Sequence, residues 1–385
     1  MMTATTHERT AFADLIAHLG AELSDGHLDD DRDHRFRPDK WRRLGEVGLF
    51  GLPFPTEYGG AGLDIAETVS VLRSLGEHCL DAGLVFSATT QLASTGTPLA
   101  RFGSAELKER YLPGVCAGEL IGAHAITESG GGSDALAMRT TARRDGDHYV
   151  LSGAKAYVSN GPIADVIVVY AKTGSGATAL SPFLVPTDAA GVVRGAPISK
   201  MGLRTSPMCE LFLDDVRVPA GHLLGYEGGG LLVLDYVMKR EILYSFAATV
   251  GQMAGRLERV IGHANSREQF GAPIAANQAV SHRIADLKIG YETSRMWLEH
   301  TAAALTGHQD VALDIAITKL VASEAAVASA SAAVQLFGGA GYMSEYGVEK
   351  ELRDNVAATI YSGSSEIQRD RLAALLGLRT RKTGR

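Results

Sequence analysis

Asp165-Val-Ile-Val-Val-Tyr-Ala171 is the stretch on which the fold turns. It is rich in β-branched and aromatic residues, and Asn160-Gly161 stands just before it as a turn signal, so it predicts a strand. Similar short runs lie around it at 147–152 (Asp-His-Tyr-Val-Leu-Ser), 182–186 and 209–213, with Asp145-Gly146 as a second turn. Residues 120–218 therefore read as a small antiparallel β domain. Further out the texture changes. Residues 7–118 carry helical spacing in Phe12, Leu15, Ile16 and Leu19, then in Trp41, Leu44, Val47 and Leu49. Ser104 before Glu106 and Leu107 marks a helix start, and Gly59, Gly60 and Gly62 mark a loop. Beyond Gly228 the chain is helical again. The run 231–262 is apolar on nearly every face and is expected to be buried, and 276–306 and 310–337 follow as long helices. Long helices with short connections imply an antiparallel bundle. The order is helices, sheet, helices, an α+β chain with expected domains 1–119, 120–226 and 227–385.

Composition narrows the function classes. At roughly 100–200 residues per domain, 385 residues predict two or three domains. Hydrophobic residues make up 45% and charged residues 21%, a folded rather than a disordered mix. The net charge of −7 argues against a nucleic-acid footprint. Cys79, Cys116 and Cys209 are odd in number and far apart, which excludes a disulfide framework and fits a reducing compartment. The 12 histidines show no metal-ligand spacing, so no metal is expected. No signal peptide and no 18-residue apolar run are read, so the expectation is a cytoplasmic protein without membrane contact. The basic end Arg379, Arg381, Lys382 and Arg385 reads as a frayed terminus.

Five motifs carry chemistry. His124-Ala-Ile-Thr-Glu-Ser-Gly-Gly-Gly-Ser-Asp134 can bring backbone N–H groups and hydroxyls against a ligand. Lys155-Ala-Tyr-Val-Ser-Asn-Gly161 offers an aromatic and a hydroxyl two residues apart, on one side of a strand. Arg267-Glu-Gln-Phe-Gly-Ala-Pro-Ile274 with Gln278, then Gln335-Leu-Phe-Gly-Gly-Ala-Gly341, then Ile360-Tyr-Ser-Gly-Ser-Ser-Glu-Ile-Gln-Arg369, complete the set.

In this order the five motifs resemble the acyl-CoA dehydrogenase family over nearly the whole chain. The resemblance implies an N-terminal helical domain, a middle β domain and a C-terminal four-helix domain. It also implies bound FAD and a homotetramer built as a dimer of dimers. By the same resemblance, Ile126, Thr127 and Ser133 contact the isoalloxazine region, and Tyr157 and Ser159 lie against the ring, where most relatives have tryptophan and threonine. Arg267, Phe270 and Gln278 reach the FAD of a neighbouring subunit. Gln335 to Gly339, with Gly338 between, hold the pyrophosphate and adenosine side, and Ser364 and Glu366 close over the cofactor.

The reaction so implied removes a proton from Cα and a hydride from Cβ of an acyl thioester, the hydride going to flavin N5. It needs hydrogen bonds to the thioester carbonyl and a carboxylate base over Cα. Many relatives read Tyr-Glu-Gly-Thr where this chain reads Tyr361-Ser362-Gly363-Ser364, and that glutamate is the usual base. A serine hydroxyl is far too weak a base. Branches such as the isovaleryl-CoA dehydrogenases carry the base instead near the start of the first C-terminal helix, and that register falls on Glu241. Its helical neighbours Leu234, Val237, Met238, Tyr244, Ser245 and Ala248 are uncharged, a face that desolvates a carboxylate and raises its pKa. The plainer reading is a solvated glutamate paired with Arg240, beside an ordinary Asp235–Lys239 ion pair. Ser362 is expected to offer its backbone N–H to the carbonyl while its small side chain widens the acyl pocket.

A closer resemblance, carried by 81–87, 160–172 and 360–363, is to dehydrogenases of prolyl groups tethered to peptidyl carrier proteins. It implies an acyl or aminoacyl thioester on a carrier protein or CoA, with an electron-transferring flavoprotein or oxygen as acceptor. Three other readings stay open here: a short branched-chain acyl-CoA dehydrogenase, a flavin-dependent monooxygenase on the same fold, and a non-catalytic scaffold.

Overall fold

The computed structural model describes residues 6–176 and 179–378; the basic end read as frayed lies outside them. The N-terminal stretch forms α1 (Thr6–Leu23), α2 (His27–Arg32), α3 (Pro38–Glu46), α4 (Ile65–His78), α5 (Ala82–Thr90), α6 (Thr97–Phe102) and α7 (Ala105–Ala117). Local chemistry sets the starts. Asp64 and Glu67 form a reciprocal capping box on α4, and the Ser104 hydroxyl accepts from the Leu107 N–H to cap α7, as its sequence predicts. Ile16, Leu19, Trp41, Leu44 and Leu49 enter the core, whereas Leu15 stays on the surface. Between α5 and α6 the helix runs through a π turn, Gln91–Gly96. The Gln91 amide donates to the carbonyls of Val115 and Leu120 and accepts from the Gly122 N–H, which ties this turn to the first strand.

The middle stretch forms β1 (Gly122–Ala125), β2 (Thr141–Asp145), β3 (His148–Ser159), β4 (Val166–Lys172), β5 (Leu180–Pro186), β6 (Val192–Arg194) and β7 (Met208–Pro219). They make one sheet, but not the purely antiparallel one expected. The β2–β3, β3–β7, β4–β5 and β6–β7 pairs are antiparallel, while β4 pairs β1, and at one point β2, in parallel. β4 explains the uninterrupted apolar run that opened the sequence reading. One of its faces, Val166, Val168 and Tyr170, joins the core shared with the helices, and the other, Ile167, Val169 and Ala171, joins the core inside the β domain. A strand covered on both sides has no polar face to alternate. At about 1.5–3 kcal/mol per fully buried large apolar side chain, this strand anchors the sheet to the helices.

The C-terminal stretch comprises α8 (Gly230–Ser266), a hairpin of β8 (Glu268–Gln269) and β9 (Ala272–Pro273), α9 (Gln278–Thr306), α10 (Ala312–Phe337), α11 (Gly339–Tyr342), α12 (Val348–Val356) and α13 (Ser365–Leu375). The helix α8 is buried without break from Ile242 to Gly251, but Leu231 and Leu232 near its start are exposed, so the burial expected for 231–262 holds for its middle. Among the described residues one helix, α10, is long and apolar enough to cross a membrane by length and composition. The expectation that no such run exists is corrected on that count. In the fold α10 packs against α8, α9, α12 and α13 through small residues such as Ala322, Ala326 and Ala330.

Candidate active site

Glu241 lies on α8 at the edge of its buried stretch and is half-buried. Its carboxylate is held by two hydroxyls from distant parts of the chain. Ser94 donates to Oε2 at 2.8 Å and Ser362 donates to Oε1 at 2.5 Å. No cation pairs with it among the described residues. Arg240 turns away, its guanidinium 3.4 Å from the centre of the Tyr236 ring and donating to the Tyr236 carbonyl. Lys239 pairs with Asp235 at 2.6 Å, as expected. So the plainer reading of Glu241, a solvated partner of Arg240, does not describe this chain.

The two hydroxyls arrive by unusual backbone. Ser94 sits in the π turn, a geometry common at functional sites, and is 1% exposed. Ser362 and Gly363 are both left-handed, at φ 53° and 84°. For serine this conformation is uncommon and needs support, which the Gln368 amide supplies by donating to the Ser362 carbonyl. The Ser362 N–H meets no acceptor among the described residues. The Ser362 side chain, expected only to leave room, in fact holds the carboxylate. The Tyr361 ring packs between Phe86 and Phe246, and burial, reinforced by the Glu241 charge, pushes its phenol well above the ordinary value.

Next to this cluster the chain leaves β1 through Ile126 and Thr127, both half-buried, into an exposed turn holding Ser133. The Ala156 N–H donates to the Thr127 carbonyl at 2.9 Å, so this turn lies against β3. A buried ion pair fixes it. Lys155 donates to Glu128 at 2.9 Å and to the Ile126 carbonyl, and Glu128 also accepts from Thr140 and the Arg139 N–H. Burial pushes the Glu128 carboxyl up, but the hydrogen bonds from Thr140 and Arg139 win and hold it at about 2. Burial lowers Lys155, with Glu128 opposing. Beyond Lys155 the pairing slips by a residue. Tyr157 takes a left-handed φ of 57° there, and its ring is 62% exposed. The simple strand alternation expected for Tyr157 and Ser159 is thus broken by a bulge, which re-aims the aromatic ring. Ser364 caps α13 by accepting from the Ile367 N–H, and Glu366 is exposed on its first turn.

The remaining predicted residues lie elsewhere. Arg267 stands at the far end of α8, about 40 Å along the helix from Glu241 at 1.5 Å per residue. Phe270, at the tip of the β8–β9 hairpin, is fully exposed, and Gln278 is exposed where α9 begins. Gln335, Gly338 and Gly339, at the end of α10, share that region, since Phe337 stacks on His263 of α8 at 4.1 Å. The predicted residues thus form two groups at opposite ends of α8. Sequence reasoning missed Ser94, Glu128 and Lys155 as parts of the first group.

Family models for the acyl-CoA dehydrogenase N-terminal, middle and C-terminal domains match residues 6–119, 123–216 and 228–377. An L-prolyl-[peptidyl-carrier protein] dehydrogenase of Pseudomonas fluorescens is 41% identical over 89% of this chain and 91% of its own length. The crystal structure of the prolyl acyl carrier protein oxidase AnaB superposes with a TM-score of 0.94 at 37% identity, covering 97% of this chain and 100% of that one. PigA with FAD and proline superposes with a TM-score of 0.94 at 33% identity, covering 99% and 100%.

The residues present fit FAD. The exposed Tyr157 ring beside the Ile126–Thr127 turn offers a flat apolar wall, and Ser365 Oγ, at the start of α13, is buried without a partner among the described residues. Gly338 is left-handed at φ 61°, and neither it nor Gly339 would bring a Cβ within 4 Å of another atom, so backbone lies open there for a ligand to approach. This chain belongs to the acyl-CoA dehydrogenase family and is an FAD-dependent oxidoreductase acting on CH–CH bonds.

Proposed function

We propose that the protein dehydrogenates an aminoacyl thioester carried on a carrier protein, with a prolyl group as the substrate and Glu241 as the base. The single observation that carries this reading is the Glu241 carboxylate held at both oxygens by Ser94 and Ser362, with no competing cation. The prolyl carrier dehydrogenases among its relatives support the substrate. Ser362 donates its free backbone N–H to the thioester carbonyl and so stabilises the enolate that forms as the Cα proton leaves. Glu241 receives that proton. The Ser94 and Ser362 hydroxyls fix the carboxylate in one orientation, which spares the base a search through rotamers. FAD supplies the acceptor for the hydride lost from Cβ. Ile126, Thr127, Ser133, Tyr157, Ser159, Ser364 and Glu366 hold it in the same chain. Arg267, Phe270 and Gln278, past the far end of α8, reach the FAD of a neighbouring subunit, and Gln335, Gly338 and Gly339, beside that end, hold the pyrophosphate and adenosine side, an arrangement that favours a homotetramer. Two successive oxidations take prolyl to pyrrolyl thioester, and the electrons pass to an electron-transferring flavoprotein or to oxygen. The buried free thiols Cys79, Cys116 and Cys209 suit a cytoplasmic setting.

The test is anaerobic bleaching of the bound flavin by prolyl-loaded carrier protein, isovaleryl-CoA, isobutyryl-CoA and butyryl-CoA. Bleaching by the prolyl carrier protein is expected, together with its loss in Glu241→Gln, which keeps the yellow flavin. Bleaching by a CoA ester alone would move the substrate to short or branched acyl-CoA, and full bleaching of Glu241→Gln would remove Glu241 as the base.

A further inference from the structure

Two buried polar atoms have no hydrogen-bond partner among the described residues: His124 Nε2 and the Tyr170 hydroxyl. Their rings meet edge to face, with centres 5.2 Å apart and an angle of 83°, yet neither satisfies the other. The sheet register explains why they meet. His124 lies opposite Val168, and Val168 and Tyr170 share the face of β4 that packs on the helical core. The same face receives the π turn, where the Thr95 hydroxyl donates to the Ala123 carbonyl at 3.1 Å, and Ser94 of that turn holds Glu241. The Glu241 charge acts on both groups.

Unpaired buried polar atoms are costly, and two side by side call for a third group. The chemistry of that group can be read off. Burial lowers the His124 pKa against the pull of Glu241, so the imidazole is neutral, and in the tautomer with its proton on Nδ1 it presents a lone pair at Nε2. Burial, with Glu241 adding, pushes the Tyr170 phenol far up, so it keeps its O–H. One acceptor and one donor match a group with one N–H and one lone pair, an uncharged secondary amine. A methylene offers neither.

We propose that His124 and Tyr170 form a receptor for the amine nitrogen next to Cα of the substrate, Nε2 accepting its N–H and the phenol donating to its lone pair. The proposal rests on Glu241 being the base. It makes the two residues determinants of specificity for aminoacyl over simple acyl thioesters.

Calorimetric titration of the Glu241→Gln holoenzyme, in which turnover is blocked, tests it. The probes are the prolyl and cyclopentanecarbonyl amides of aminopantetheine, which differ by nitrogen against carbon. The prolyl probe should bind at least about tenfold tighter, the value of one well-made hydrogen bond. Adding His124→Phe or Tyr170→Phe should bring that ratio close to one and leave the carbon probe unchanged; Tyr170→Phe removes a single oxygen and guards against misfolding. Equal binding of the two probes, as an enclosed water would give, overturns the receptor, and so does a ratio that survives both substitutions. A prolyl preference in binding, without bleaching by any prolyl carrier protein, would keep the receptor and reject the proposed reaction.

Discussion

The near and far ends of α8 solve opposite problems. Near Glu241 the chain closes on itself: the carboxylate is gripped by Ser94 and Ser362, and Lys155 and Glu128 lock the adjoining turn. Beyond His263 the chain opens outward: Phe270 is fully exposed, and Gly338 and Gly339 face empty space. One end is closed within a single chain, and the other is an exposed surface. The proposed function assigns chemistry to the closed end and cofactor retention to the open one, so substitutions at the two ends should fail in different ways.

The largest separation should come from Glu241→Gln. Removing a general base is worth about 10²–10⁴ in rate, so stopped-flow reduction of the flavin should fall by that factor while flavin content stays full. Loss of flavin in this variant would merge the two ends. Lys155→Met comes next. It leaves the half-buried Glu128 with the bonds from Thr140 and Arg139 but without its cation, a loss of about 1–3 kcal/mol that thermal unfolding should show. Past the far end of α8, Phe270→Ala should raise the flavin dissociation constant about tenfold, as measured by ultrafiltration, while the reduction rate of protein still loaded is unchanged. A drop in that rate would mean that the hairpin reaches the chemistry. Ser94→Ala should slow reduction by about three- to tenfold, the share of one hydrogen bond, without moving flavin affinity.

The mildest lever is pH. The Glu128 carboxyl is held at about 2, below its ordinary 4.5. A depressed folded pKa contributes stability that is present above 4.5 and lost as pH falls from there toward 2. Acid should therefore loosen the turn at 126–134 first, and hydrogen exchange of those amides should rise before that of α8.

The sequence carried much of this. The strand runs, the α7 cap and the three-part order were legible because each rests on local pattern. Glu241 was reached through the register of the family resemblance, and its uncharged helical face, visible at fixed spacing, agreed with it. Ser94 was hidden, since a π turn breaks the 3.6-residue period by which a helical face is read. Tyr157 was misjudged for a related reason: a bulge inserts a residue and cancels strand alternation. His124 and Tyr170 look like ordinary strand residues, and only the parallel β1–β4 pairing brings them together. A parallel pair joins strands through a long crossover, so no hairpin turn announces it.

The grip on Glu241 also has a history in time. Its two hydroxyl partners lie 147 and 121 residues away along the chain, on either side of it. Contacts of such long range form late, after the local helices. During refolding, helical ellipticity should return first and reactivity toward substrate last, with an intermediate that has its helices but not yet a competent base.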